Sequence, residues 1–490
     1  MTYRNIFIYF GGLLTLLLLA AAIFSPDQRL LALTLLSFIG IGWYDVFQTS
    51  NSICRDYPIV GHMRYILRGI SPELQQYFIE TNTNGEPFNK NTIQTINNRA
   101  DNKDTFHPFG TEHNFYTEGL QWISHALFPA KKLEKPPRVL IGGPQCKHPY
   151  AASLLNISAM SFGSLSENAI KALNEGAALG GFYHNTGEGG LTPYHQKGGD
   201  IVLQIGTGNF GFRNEKGRFV DDLFKEKASL DEVKMIEIKL SQGAKPGHGG
   251  VLPAAKNTQE IALIRKVEPG VDVFSPPVNP EISDLDGIGK FIARVRGLSE
   301  GKPVGFKLCI GSTKETEELI DNLIQQNNLP DFITVDASEG GTGAAPIEFS
   351  NHIGMRGEDG LKFMNNLLVQ KGIREKVKLI YSGKVCSAFT MIKALSLGAD
   401  VCNSARGFMF SLGCIQSLRC NTDTCPTGIA TQNKELQKGL VPSHKRHRVN
   451  SYHKNTVEDF LEMMATIGVA KVEDLHPGLI HTTGKEVFGI

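Results

Sequence analysis

The chain has 490 residues, with 50 basic and 49 acidic side chains, so bulk charge gives no reason to bind nucleic acid. Its 52 glycines cluster with serine and threonine in short loops rather than low-complexity tracts, which excludes a disordered chain. Eight cysteines without a regular framework point to a reducing compartment.

The chain begins with two apolar runs, Ile6 to Phe24 and Leu30 to Phe47, separated by the polar turn Ser25-Pro26-Asp27-Gln28-Arg29. Each is close to the ~20 residues a helix needs to cross a bilayer. A cleaved signal peptide has a shorter core, and a buried soluble hairpin seldom carries two such runs in tandem. Arg4 precedes the first run, and Arg55, Arg64 and Arg68 follow the second. The positive-inside rule then puts both ends in the cytoplasm. Residues 1–50 are therefore read as a transmembrane helical hairpin in the inner or plasma membrane, with the catalytic part cytoplasmic and Trp43 and Tyr44 at the interface. Residues 51–150 form a connecting region, in which His62 to Leu67 and Leu74 to Phe78 have amphipathic helical character.

From Leu154 onward, short apolar strands alternate with helical stretches. Strands are expected near Leu155–Ala159, Phe182–Asn185, Ile201–Ile205, Met235–Lys239, Asp272–Ser275, Val304–Leu308, Phe332–Asp336, Lys378–Tyr381 and Asp400–Asn403. Alternation of this kind implies an α/β fold with parallel pairing, and the count suits a (β/α)8 TIM barrel over residues 151–435. One strand must then be accessory, either Ile201–Ile205 or Asp272–Ser275. Residues 436–490 read as a helical tail that includes Thr456–Ala470.

Barrel active sites lie at the carboxyl ends of the strands, and the unusual residues fall there. Ala159, Met160 and Ser161 end the first strand, Glu188 lies in the loop after the second, and Gln204 lies in the third. Lys307 sits inside a later strand between Phe306 and Leu308, where it needs a neutralising partner or an anionic ligand. Gly341-Thr342-Gly343 follows the next strand, and Gly383-Lys384 and Ala405-Arg406 end the last two, where barrels often cradle phosphate. Lys245 and Arg265 are candidates for holding a carboxylated substrate, with a solvated helix charge as the alternative for Arg265. A GxGxxG stretch from Gly206 to Gly211 runs into a turn rather than the helix a dinucleotide site needs, and reads as a barrel loop.

After the last strand, Gly413 to Gln432 carries Cys414, Cys420 and Cys425, with five and then four residues between them. Thiolates this close can converge on an iron–sulfur cluster. Zinc fits less well, because it usually takes paired Cys units and four ligands, and His444, His447 and His453 downstream do not complete such a set. Three unrelated buried thiols are the plainer alternative. Three ligands favour three irons, and a fourth ligand from elsewhere allows four.

From about Pro108 to Gln432 the chain resembles the FMN-binding synthase domain of the glutamate synthase large subunit. The likeness rests on ISAMSFGSLS, NTGEGG, IEIKLSQGAKPGHGG, GVDVFSPP, DASEGGTGAAP and GCIQSLRCNTDTCPTGIATQ, in that order. It implies FMN and a 3Fe-4S cluster on Cys414, Cys420 and Cys425, with electrons passing from cluster to flavin and hydride from flavin to 2-iminoglutarate, giving L-glutamate. By position Lys245 and Arg265 are similar to the family's 2-oxoglutarate ligands, and Glu188 to its loop carboxylate. Lys307 is assigned the electron-rich edge of the flavin. Two positions depart from the family's usual KPGEGGQLPG loop: His248 replaces the glutamate and Val251 the glutamine. The chain has no counterpart of the family's glutamine amidotransferase domain, so the expected nitrogen source is free ammonia or a separate glutaminase subunit.

The leading expectation is a membrane-anchored FMN and iron–sulfur oxidoreductase reducing an imino or oxo acid, with ferredoxin or a separate flavoprotein as electron donor. A second keeps the fold and cofactors but acts on another amino or imino acid and exchanges electrons with quinone. A third, a non-catalytic membrane scaffold, leaves the cysteine triad and glycine loops without a purpose.

Overall fold

The computed structural model describes residues 1–484, in two compact units, Met1–Gly85 and Glu86–Ile490. The first unit holds two helices long and apolar enough to cross a membrane, Tyr3–Phe24 and Pro26–Phe47, of 22 residues each. They pack as a hairpin. Trp43 Nε1 donates to Thr15 Oγ1 at 3.0 Å across the pair. The Phe7 ring fills the space beside Gly42, where a Cβ would come within 2.2 Å of it. Asp45, 1 % exposed near the end of the second helix, accepts from Ile59 N at 2.9 Å and meets His62 Nε2 at 2.9 Å. The helix Gly61–Gly69 then presents Met63, Ile66 and Leu67, with Ile70 following, as an exposed apolar stripe at i, i+3, i+4 and i+7.

The second unit is built on a closed barrel of eight parallel strands: β1 (Leu155–Ile157), β2 (His184–Asn185), β3 (Ile201–Ile205), β4 (Val233–Lys239), β5 (Val304–Leu308), β6 (Phe332–Asp336), β7 (Lys378–Ser382) and β8 (Val401–Ser404). Each strand pairs with its neighbour in sequence, and β8 closes on β1. All five residues of β3 are buried, so Ile201–Ile205 belongs to the barrel. The accessory strand is the other candidate, shortened to Val273–Phe274 and paired antiparallel with Val251–Leu252. Phe274 is exposed, so this run has no second face to bury.

An antiparallel hairpin, Val139–Ile141 with Tyr150–Ala152, plugs the amino-terminal end of the barrel. Its Ile141 and Tyr150 pack against Val202, Met235, Phe332, Ile380 and Val401 from five strands. The carboxyl end is left open for chemistry. Outside the barrel, the helix Glu167–Gly180 starts on Ser166, whose hydroxyl accepts from Ala169 N, and stops at Gly181 with φ +64°.

The tail forms one long helix, Pro442–Thr466, packed against Glu167–Gly180 and against Lys90–Ala100, Ala388–Ser396 and Arg406–Leu412. It starts before and stops short of the expected Thr456–Ala470. A Cβ on Gly176 would lie 2.4 Å from Val449, so glycine is what lets the two helices approach. His453 is buried in this contact, stacked on Phe182 with ring centroids 3.9 Å apart. Its Nε2 lies 2.9 Å from Ser153 Oγ and 3.0 Å from Leu155 O, which makes it a packing residue.

Candidate active site

The strand ends and the cysteine loop enclose one cavity of ≈ 330 Å³. Every residue singled out as a cofactor contact lines it: Ala159, Met160 and Ser161 after β1, Gln204 in β3 and Lys307 in β5. So do Gly341, Thr342 and Gly343 after β6, Gly383 and Lys384 after β7, and Ala405 and Arg406 after β8. Glu188, Lys245, Cys414, Cys420 and Cys425 share the same wall. Arg265 stands behind it. Its guanidinium donates to Phe162 O at 3.1 Å and Ser161 Oγ at 3.4 Å and lies over the Phe210 ring at 5.2 Å. At 4 % exposure it is not a solvated helix charge.

Glu188 is the electrostatic centre of one side of the cavity. Burial alone would raise its carboxyl, but Lys239 Nζ, 2.8 Å from Oε2, and then Arg265 and Lys245 hold it at about 2. It is therefore an ionised carboxylate throughout the physiological range. Lys239 also donates to Gln242 Oε1 at 2.7 Å. Lys239 is not among the residues expected at the site, yet a lysine at the end of an apolar strand is the same signal that Lys307 carries.

Lys245 Nζ donates to Ala344 O at 2.6 Å, and burial pulls its ammonium down to about 8 despite the nearby Glu188. Lys307 is buried and faces the cavity, and its ammonium makes no protein hydrogen bond among the described residues. Arg406 donates to Glu339 O at 2.8 Å. The cavity wall carries five cationic side chains, Lys239, Lys245, Lys307, Lys384 and Arg406, against two carboxylates, Glu188 and Asp336. Lys239 is paired with Glu188, and the half-buried Lys384 with Glu86 Oε2 at 3.1 Å, so the excess rests on Lys245, Lys307 and Arg406, and it suits anions.

Deeper in the barrel, Glu237 accepts from Gln204 Nε2 at 2.6 Å, Asn185 Nδ2 at 2.8 Å and Thr334 Oγ1 at 2.6 Å. These bonds lock Gln204 by its amide nitrogen and leave its carbonyl end for the cavity. Over the mouth sits Phe88, which no motif pointed to. Its backbone is clamped by Gln416, with N–H···Oε1 at 3.2 Å and Nε2–H···O at 3.1 Å, and Arg406 lies 4.7 Å from its ring.

FMN fits these residues: its anionic phosphate and electron-rich ring edge suit Arg406 and Lys307, which have no ion-pair partner among the described residues, and Lys384 beside them is paired with Glu86 Oε2 at 3.1 Å. All three cysteines line one cavity, and a compact set of soft thiolates is a donor set that an iron–sulfur cluster takes. Elsewhere, the ligand atoms of Asp45, Cys54 and His62 all lie within 4.8 Å of one another. In the connection after β4, His248 Nδ1 lies 2.8 Å from Gly249 O and its ring meets Phe349 edge-on at 5.2 Å, while Val251 lines the cavity. No helix opens after the Gly206–Gly211 loop; the next is Asp221–Ala228, so a dinucleotide cradle is lacking there.

A closed parallel barrel with a cation-lined cavity at its strand ends defines the class, an α/β-barrel domain with a site for an anionic ligand. Residues 125–470 match the conserved region in glutamate synthase, and the chain belongs to the glutamate synthase family. It is 38 % identical over 482 residues to the glutamate synthase large subunit-like protein YerD of Bacillus subtilis, covering 90 % of this chain and 91 % of that one. It is also 33 % identical over 327 residues to an archaeal NADPH glutamate synthase of Methanocaldococcus jannaschii, covering 65 % of this chain and 60 % of that protein. Among solved structures, the flavin-binding domain of baker's yeast flavocytochrome b2 aligns at 12 % identity with a TM-score of 0.45, over 81 % of each chain.

Proposed function

We propose that this chain is a membrane-anchored oxidoreductase with FMN and a 3Fe-4S cluster that reduces 2-oxoglutarate with ammonia to L-glutamate. The observation that carries the reading is the convergence of five cations, a phosphate-type pair of loops and three cysteines on one cavity. FMN, when bound, supplies two-electron storage and hydride transfer. The chain's own groups do the rest. The loops after β7 and β8, with Lys384 and Arg406, hold phosphate, and Lys307 faces the electron-rich edge of the ring. Lys245 binds a substrate carboxylate, and Arg265 acts from behind the wall by keeping Glu188 ionised. Cys414, Cys420 and Cys425 hold the cluster, and electrons come from ferredoxin or a separate flavoprotein subunit. Nitrogen comes as free ammonia or from a separate glutaminase.

The deciding experiment is anaerobic reduction of the detergent-solubilised protein, then reoxidation by 2-oxoglutarate plus ammonium with product analysis. Rapid reoxidation with glutamate formed supports the reading. A reduced flavin indifferent to 2-oxoglutarate sinks it. His248 and Val251, at the edge and wall of the substrate side, favour one alternative, another amino or imino acid with quinone as electron partner. Quinone reduction in the steady state separates the two.

Two further outcomes are expected. Lys245 must be protonated to hold a carboxylate, and its folded value of about 8 means that 2-oxoglutarate affinity is level below that pH and falls above it. The limiting decline is roughly tenfold per pH unit for a strictly required proton, read by flavin spectral titration. A pH-independent affinity would remove Lys245 from the substrate contacts. The hairpin Tyr3–Phe24 and Pro26–Phe47 is read as spanning the bilayer, with the stripe of Met63, Ile66, Leu67 and Ile70 lying in its interface. The protein should then stay in the membrane fraction through alkaline carbonate washing. Release into the wash would mean that neither helix is inserted.

A further inference from the structure

Behind the cysteine loop lies a charge that none of the roles above uses. Lys256 is 2 % exposed, at the end of the short turn Ala254–Lys256, and eleven residues beyond Lys245 in the same connection. Its ammonium donates to three backbone carbonyls: Ser164 O at 2.5 Å, Cys420 O at 3.2 Å and Ala430 O at 3.2 Å. One belongs to the loop after β1 and the other two to the cysteine loop. Those loops are tied together again by Ser166 N donating to Ile429 O at 2.8 Å and by Gln432 Nε2 donating to Gly163 O at 3.1 Å.

Three carbonyls satisfy the protons of an ammonium but leave its charge uncancelled. A buried cation without a counter-charge is costly. No carboxylate among the described residues forms an ion pair with Lys256. The nearby groups able to carry negative charge are Asp423, Cys420 and Cys425, while Arg265 adds a second positive charge. Asp423 accepts from Gln432 N at 2.6 Å and Thr431 Oγ1 at 3.1 Å and makes no ion pair with Lys256, so its carboxylate offsets the ammonium only from a distance. Negative charge gathered by the three cysteines completes the balance.

We infer that Lys256 is a positioning residue and the counter-ion of the iron–sulfur cluster, holding the cysteine loop against the loop after β1 and raising the cluster's reduction potential. The inference rests on the reading of Cys414, Cys420 and Cys425 as cluster ligands. Reduction adds one negative charge to the cluster, so a fixed positive charge nearby stabilises the reduced form more than the oxidised one. The same connection that carries Lys245 to the substrate thereby carries Lys256 to the cluster.

The test is an EPR-monitored dithionite titration of the full-length, detergent-solubilised holoprotein, with iron and FMN measured on each sample. Wild type is compared with Lys256→Gln, which removes the charge, and Lys256→Arg, which keeps it. Expected is a shift of the cluster midpoint to more negative potential in Lys256→Gln and a midpoint near wild type in Lys256→Arg. An unchanged midpoint in Lys256→Gln, or an equal shift in both variants, overturns the inference while the cluster reading stands. Should Lys256→Gln lose its iron, Lys256→Arg decides. Iron retained at the wild-type midpoint supports the counter-ion, and iron lost from a folded, flavin-loaded protein overturns it. A wild-type protein without iron or a cluster signal would remove the cluster reading and this inference together.

Discussion

Cys420→Ser is expected to strip most of the iron from the purified protein while the barrel stays folded and keeps its flavin. Serine nearly preserves the volume, so packing is little disturbed, but its hydroxyl is a far weaker ligand for iron than a thiolate. The loop itself is held by bonds that do not involve the sulfur. Ser166 N reaches Ile429 O at 2.8 Å, and Gln432 Nε2 reaches Gly163 O at 3.1 Å and Leu165 O at 3.0 Å. Iron, flavin and far-ultraviolet circular dichroism should be measured on the same sample. Wild-type iron content in this variant would end the assignment of the loop.

The second large effect is expected at Lys239. Its ion pair with Glu188 at 2.8 Å is shielded from water, with side-chain exposures of 5 % and 17 %. Lys239→Met removes the one cation in direct contact with the carboxylate and leaves only Arg265 and Lys245 acting from farther away, and breaking a buried pair from one side costs up to about 3–5 kcal/mol. Thermal or denaturant unfolding should show this loss, and the carboxyl of Glu188 should rise as burial takes over. Adding Glu188→Gln to Lys239→Met should recover most of the stability, because the unpaired charge is then gone. A Lys239→Met protein as stable as wild type would show that the pair is solvated.

The same pair sets an acid limit. The folded value for Glu188, about 2, lies below its ordinary 4.5, so the folded state binds fewer protons than the unfolded one between those values. Its contribution, on the order of 3 kcal/mol, is full above the unfolded value and is lost as pH falls toward the folded one.

Much of the barrel was legible because a strand in a parallel sheet is buried on both faces and reads as a short apolar run. Val304–Leu308 and Phe332–Asp336 coincide with expectation residue for residue. The choice between Ile201–Ile205 and Asp272–Ser275 was not legible, since both are short runs with an apolar centre and burial is a property of neighbours. Glycine-rich strand ends marked the cavity wall well, because backbone must approach a ligand there. Phe88 carried no signal at all, being held in place by Gln416, 328 positions away.

The sequence by itself determined the alternation of elements, the apolar N-terminal pair, the cysteine spacing and most residues of the cavity wall. Each of these is a local pattern set by side-chain type and period. Only the tertiary structure decided which charges face one another. Lys239 neutralises a carboxylate 51 residues away, Arg265 stands behind the wall, and Lys256 reaches under the cysteine loop. Those pairings depend on barrel closure, which brings together residues remote in sequence and removes the water that would otherwise screen them.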